Sequence, residues 1–465
     1  MSIPWKSVGG YERTPIGNYA RFPYLVGGTG IGISGGGGTG ITGPTGSSGP
    51  AFITNSNTNA TFFPVFVAGT GNQPLLADIT TTPISLNPSN GNFNVVDTMK
   101  ITQNELAIGK NAGSISQSGF SIAIGNQAGQ NTQSTDCVAI GHNAGNIGQQ
   151  TGAVAIGNAA GTTTQRENAV AIGNAAGNIN QQANAVAIGN SAGTTNQAAD
   201  CVAIGNSAGN NTQEGNAVAI GNDAGTTTQR ENAVAIGNGA GNINQQAGAV
   251  AIGIVAGNIT QASNCVAIGN SAGSGNQEVN AVAIGTSAGQ TTQRTNAVAI
   301  GKSAGQTNQQ ANAVAIGQNA GQITQSANAV AIGVNAGITI QGASSVAIGN
   351  GAANRNQEIN AIAIGLNAGF DGQGTGAVAI GSNAGQGTVS RQGANAIAIG
   401  QNAGVASQTA GSICLNASGV ALNPAAAGFF VNPIRVGVAG SSFSPQLPAG
   451  VLYFNATTNE ILRTS

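Results

Sequence analysis

The sequence is poor in almost everything from which an active site is built. Of its 465 residues only 6% are charged and 4% aromatic, and there is one histidine. Thirteen Lys and Arg stand against 14 Asp and Glu, a formal net charge of −1, which exerts no pull toward nucleic acid or an anionic membrane. No apolar run approaches the length a bilayer-spanning helix needs, roughly 18 residues or more. The four cysteines contain no CxxC pair and imply no disulfide framework. The opening, MSIPWKSVGGYERTPIGNYARFPYLVGG, lacks the basic-then-apolar layout of a signal peptide, so secretion by that route is not expected. A chain this short of aromatics would ordinarily be disordered, unless a strict period organises its polar residues.

Such a period is present. Glycine accounts for 75 residues. The Gly of an Ile-Gly pair falls at 109, 125, 141, 157 and so on to 381, at a constant step of sixteen. An insertion, GTVSRQG near Gly387, stretches the next step to nineteen, and a worn copy, GSICLNASG, follows. About twenty repeats result. Ala sits three positions after the Gly (Ala160, Ala176, Ala192), and a second Gly follows it except at Ala353. Gln comes eight after the Gly (Gln165, Gln181, Gln197, Gln213), failing at Val389. A 64-residue period is superimposed, seen in Cys137, Cys201 and Cys265. Self-similarity this strict marks a solenoid.

A repeat this short cannot hold a helix pair, and the AVAIG phrase alternates β-branched residues. The expected fold is all-β: a parallel β-solenoid (β-roll), one coil per repeat, each of two short strands and two glycine-containing turns. At roughly 4.8 Å per coil, twenty coils make a rod on the order of 95 Å long. In the strand at 168–172, Val170 and Ile172 share one side and Ala169 and Ala171 the other. This alternation is read with Val and Ile filling the interior and the Ala stripe outward. A long outward Ala stripe would call for sister chains to cover it, hence a homotrimer; the plain alternative is an Ala face left to solvent. Asn168 and Gln165 recur at fixed places and should stack as amide ladders, each bonded to its copies.

The flanks differ. Residues 37–51 read as five Gly-X-Y triplets, a collagen-like pattern that requires three chains, or else a flexible Gly-rich linker. The division expected is an N-terminal arm at 1–36, the collagen-like or Gly-rich linker at 37–51, a small β domain at 52–104, the solenoid at 105–416 and a C-terminal β cap at 417–465. Caps are needed because a bare solenoid end exposes strand edges and core.

Several residues imitate chemistry. Gly30-Ile-Gly-Ile-Ser-Gly35 matches GxGxxG, but more glycine follows where a dinucleotide site needs a helix. His142 has no nameable partner and reads as a solvent-facing turn residue. Cys137, Cys201 and Cys265 read as small buried residues, the sharper alternative being thiols meeting at a trimer axis. Arg166–Glu167 and Arg230–Glu231 read as solvated surface pairs. Asn59, Asn416 and Asn455 fit the glycan-acceptor pattern by chance. No catalytic, cofactor-binding or metal-ligating residue is nominated, no cofactor is expected, and the chain reads as a non-enzyme.

Two resemblances follow from these residues. NAVAIGNAAG, over residues 105–416, resembles the repeat of trimeric autotransporter adhesin heads, which implies a left-handed parallel β-roll wound as a trimer. The signal peptide and C-terminal membrane anchor of that family are not found, and the second half of the repeat is this sequence's own. TFFPVFVAGTGNQPLLADITTTPISLNPSNG and GFFVNPIRV with GVLYFNATTNEI resemble modules of tail-fibre and surface-fibre proteins of phages and large double-stranded DNA viruses. In those proteins a self-cleaving chaperone often follows; none follows here, whether cleaved off or never carried. SVGGYERTPIGNYAR resembles N-terminal peptides of large-virus structural proteins.

The function these resemblances imply is a virion fibre or spike on the particle surface. Its homotrimeric shaft would be held to shell or capsid proteins by the 1–36 arm, with the distal end meeting a host glycan or receptor. The alternative is a bacterial-type surface adhesin or glycan-binding module. Ice binding is disfavoured, because Thr163, Ile179, Thr195 and Asn211 make no regular threonine array.

Overall fold

The computed structural model describes residues 104–434, short strands before them at 19–21, 52–54, 65–67, 75–77, 84–87 and 92–95, and residues 452–455, 457–458 and 460–463 after them. The chain divides into two units, Met1–Thr102 and Gln103–Ser465. In the first, Tyr19–Arg21 pairs antiparallel with Phe52–Thr54, Val65–Val67 with Leu75–Ala77, and Ile84–Asn87 with Asn92–Val95. The Gly30–Gly35 motif, the Gly-X-Y triplets and Asn59 lie outside the described residues.

The second unit is a parallel β-solenoid of about twenty coils, one per repeat. Each coil gives a Val-Ala-Ile strand to one sheet, paired in register with its copy in the next coil: Val170 with Val186, Ala171 with Ala187, Ile172 with Ile188. That sheet runs from Glu105–Ile108 to Ser412–Asn416 and one further parallel strand, Gly428–Asn432. A second sheet carries the ladder glutamines, such as Gln181 paired with Gln197. Single Gln-to-Gln bridges continue it through the later coils. At the C-terminal end Phe429 and Phe430 pair antiparallel with Ile461 and Glu460, part of a hairpin of Leu452–Asn455 with Glu460–Arg463. The reversal of strand direction ends the parallel stack there.

The expected orientation of the Val-Ala-Ile strand is overturned. Ala169, Ala171 and Ala176 have no exposed surface, whereas Val170 and Ile172 are half-buried and face outward. The interior is too thin for branched side chains. A Cβ placed on Gly177 would fall 3.1 Å from the Ala171 Cβ and 2.6 Å from Gln181 Oε1, so the two sheets meet across alanine, glycine and one amide. The core is a column of alanines, continuous from Ala123 to Ala403.

Corners explain the remaining fixed residues. Gly173 has φ 131°, and an added Cβ would sit 2.4 Å from the Gly189 carbonyl oxygen of the next coil; only glycine allows coils to stack there. The far corner, where glycine is also expected, is instead turned mainly by asparagine in the left-handed region, as at Asn168 (φ 57°), Asn184 (φ 59°) and Asn296 (φ 58°). Asn tolerates that region better than other residues with a Cβ.

The glutamines hold the two sheets together. Gln165 Nε2 donates across the interior to Val154 O at 2.7 Å, lies 3.0 Å from Ala169 O, and reaches Gln181 Oε1 at 3.1 Å. The amide-to-amide link repeats without a break from Gln133 to Gln408, at 2.9–3.2 Å. At the insertion the place that Val389 vacates is filled by Gln392, which accepts from Gln373 and donates to Gln408, each at 2.9 Å. The extra residues loop outward, leaving Val389 81% exposed. A buried amide is costly unless bonded; here each coil meets the requirement of its neighbour. The first ladder residue is the exception, since Gln133 Oε1 has no partner.

Candidate functional site

What the solenoid offers to other molecules is its surface, which falls into distinct columns. The Val-Ala-Ile sheet presents outward rows of valine and isoleucine, with Ile300, Ile316, Ile380 and Ile399 exposed by 36–40%. Beside that row, at the corner after the Ile-Gly pair, exposed asparagines bond along the axis: Asn206 to Asn190 at 3.3 Å, Asn222 to Asn206 at 3.1 Å, Asn238 to Asn222 at 3.0 Å. The far corner carries a second ladder, Asn280–Asn296–Asn312–Asn328, at 3.1–3.2 Å. Asn168 reaches Asn184 at 3.5 Å, and Asn184 bonds Asp200 at 3.0 Å. The expected amide ladders therefore exist, the Gln one inside and the Asn ones outside.

The charged residues pair along the stack instead of along the chain. Arg230 meets Glu214 at 3.4 Å and Arg294 meets Glu278 at 3.1 Å, both one coil apart; the expected pairing of Arg230 with its neighbour Glu231 is not formed. With side chains 40–49% exposed, such bridges contribute little, ~0–1 kcal/mol each. Arg355 pairs with Asp371 at 3.0 Å and its guanidinium lies 5.9 Å from the Phe370 ring centre. Glu358 is held by two partners. Its Oε2 accepts from Thr375 N at 3.0 Å and Thr375 Oγ1 at 2.8 Å, and Arg391 Nη1 donates to Oε1. Hydrogen bonding from the Thr375 hydroxyl, with a further contribution from Arg391, keeps the carboxyl below the ordinary range.

Cys137, Cys201 and Cys265 take the place of the first strand alanine and are wholly buried in the coil interior. The trimer-axis reading of these thiols is thereby excluded, because they point away from the outer face. Burial pushes the thiols of Cys201, Cys265 and Cys414 up to about 11, so they stay protonated and unreactive. His142 is exposed, its Nδ1 3.3 Å from Asn158 Nδ2. Asn416 is buried, donating to Gln401 O at 2.7 Å and Val420 O at 2.6 Å, which leaves its amide no room for a glycan. Asn455 accepts from Thr457 N at 3.0 Å in a tight turn.

Among the described residues no group of three or more His, Cys, Asp or Glu could hold a metal ion, and no helix is long and apolar enough to cross a membrane. No family model, curated protein or solved structure matches the chain. The surface itself therefore carries the functional argument. Sequence reasoning missed two parts of it: the outward Val/Ile rows, because alternation does not say which side is inside, and a cluster around Ile340, Glu358, Ile359 and Arg391. The available signal for the cluster was an isoleucine, Ile340, standing just before the ladder Gln where most coils have Thr or Asn.

Proposed function

We propose that this chain is the shaft-forming subunit of a homotrimeric fibre or spike on a virion surface. In this reading the 1–36 arm is held by shell or capsid proteins, and the distal end meets a host glycan or receptor. The observation that carries the reading is the outward Val/Ile stripe running the length of an unbroken stack of coils. Completing the burial of one such isoleucine contributes roughly 0.3–1 kcal/mol. Over about twenty coils the Ile column alone comes to on the order of 10 kcal/mol per chain, the same size as the ~4–15 kcal/mol cost of association. The parallel Val column tips the balance toward assembly. The Gly-X-Y triplets at 37–51 and the resemblance to trimeric β-roll heads favour three copies over two.

The stripe that calls for partner chains is thus valine and isoleucine, while the alanines are buried within each chain. The alternative is a bacterial-type surface adhesin or glycan-binding module. Its support is the exposed Asn columns and the same β-roll resemblance. Native mass measurement with chemical cross-linking tests the assembly: a trimer is expected, and a soluble monomer overturns it. Labelling the two termini on imaged virus particles tests location, with the N-terminal label expected at the particle surface and the C-terminal label outermost. Absence of both labels from particles overturns the virion reading.

A further inference from the structure

On the glutamine-sheet side, away from the Val/Ile stripe, the coils around Glu358 bring glycine, isoleucine and a charge pair together. Gly342 and Gly374 follow their ladder glutamines in two coils, and the coil between them carries Glu358 at that position. An added Cβ would lie 2.5 Å from Glu358 C at Gly342 and 2.6 Å from Ala394 N at Gly374, so neither glycine can be replaced without displacing backbone. Glu358 stands between two bare stretches of chain, and Arg391 reaches across the Gly374 coil to pair with it. Ile340 and Ile359 stand alongside, 50% and 52% exposed. Gly342, Glu358, Arg391 and the two isoleucines, together with Asn356 and Thr375, line an open surface notch of about 420 Å³.

Close approach of the coils accounts for the glycines, and the two exposed isoleucines line the same notch as the Arg–Glu pair. We propose that this notch binds a neutral sugar residue. Ile340 and Ile359 meet the C–H face of the ring, while Arg391, Glu358 and Asn356 bond its hydroxyls. The charges decide the class. Arg391 keeps N–H donors beyond the one given to Glu358, and its side chain is 57% exposed; that of Glu358 is 37% exposed and keeps free lone pairs. An anion would meet the carboxylate and a cation the guanidinium, whereas a polyhydroxyl ring uses both. The site deepens the glycan-binding reading above and lies within one chain, so it does not depend on trimerisation. An open notch implies weak single-site binding, and three copies on one fibre would strengthen attachment by avidity.

Saturation-transfer NMR on the full chain, with methyl glycosides of glucose, galactose, mannose and N-acetylglucosamine and with N-acetylneuraminic acid, tests this. Transfer to ring protons of at least one neutral glycoside is expected. It should weaken at least tenfold in Arg391→Ala and in Ile359→Ser and persist in Arg294→Ala, which removes a similar ion pair elsewhere. Transfer to no neutral glycoside, transfer to the acid alone, or transfer that survives both notch substitutions overturns the proposal. If Arg391→Ala does not fold, as read by far-ultraviolet circular dichroism, Ile359→Ser decides, since that side chain is exposed. Native mass on the same sample separates the two readings: a sugar-binding monomer keeps the site and removes the trimer.

Discussion

Replacing Gln245 by glutamate changes one atom of the buried ladder and tests its whole logic. Gln245 Nε2 lies 2.8 Å from Val234 O, 3.1 Å from Ala249 O and 3.1 Å from Gln261 Oε1, while its Oε1 accepts from Gln229 at 3.1 Å. The side chain is fully buried. Glutamate has the same shape, so no cavity forms, but the donor is lost and three acceptors face a carboxylate. Orphaned buried acceptors cost ~1–3 kcal/mol each, and an ionised carboxylate adds more unless it protonates. The expected loss is about 4–8 kcal/mol at pH 8 and about 2–4 kcal/mol at pH 4, where the protonated acid can donate once. The sign follows from linkage. Burial among acceptors raises the folded-state pKa above the unfolded value of ~4.3, so the folded state holds the extra proton. Stability relative to wild type therefore falls as pH rises from the unfolded toward the folded pKa. Because coils contact only their neighbours, the damage should be local. Hydrogen exchange read by mass spectrometry should show lost protection between Gln229 and Gln261 and little change in coils far along the stack. Protection equal to wild type at pH 8, or a loss that does not depend on pH, would refute the ladder as a structural element.

Three further outcomes follow from the same geometry. Ala171→Leu should cost ~1–3 kcal/mol or more by overpacking the interior, whereas the outward Val170→Leu should stay within about 1 kcal/mol; comparative thermal unfolding checks the contrast. The cysteines should resist maleimide until the chain unfolds. Because the folded pKa of Cys201, Cys265 and Cys414 is raised to about 11 from 9.0, stability should hold below pH 9 and fall between there and pH 11 as the unfolded thiols ionise, measured by denaturant titration across that range. Lysine at Ile188, Ile204, Ile220 and Ile236 together should give a folded monomer by native mass, since the charges would sit in a row on the proposed contact face; a trimer that survives all four places the contact elsewhere.

Most of the fold is legible in the sequence because so short a period leaves few ways to pack. The coil length, the parallel register and the stacking of Gln165 and Asn168 on their copies all follow from identical residues returning at one spacing. The strand 168–172 shows where legibility ends. Alternation separates Ala169 and Ala171 from Val170 and Ile172, yet it assigns no inside, and the usual expectation for a core puts the larger residues there. The deciding information lies elsewhere in the coil. Gly177 left-handed beside Ala171, with Gln181 filling the space between, admits nothing bulkier than a methyl group. Similarly, the gap at Val389 reads as a missing glutamine until the fold shows Gln392 taking the place.

The inward alanines also change what the repetition means. A β-solenoid with leucine or isoleucine inside draws its stability from apolar area within the chain. Here a typical coil buries a few methyl side chains, as at Ala169, Ala171 and Ala176, and one amide, so the interior contributes little hydrophobic free energy per residue. What it supplies is specificity. An amide that must find its copy one coil away, and a Gly173 that tolerates only Gly189 above it, fix the register that alternating strands would otherwise leave free to slip. The larger apolar residues are thereby released to the outside, where Val170 and Ile172 recur on coil after coil. On the proposed reading that exterior is half of an interface, and covering it with sister chains would supply the apolar burial that the alanine interior does not.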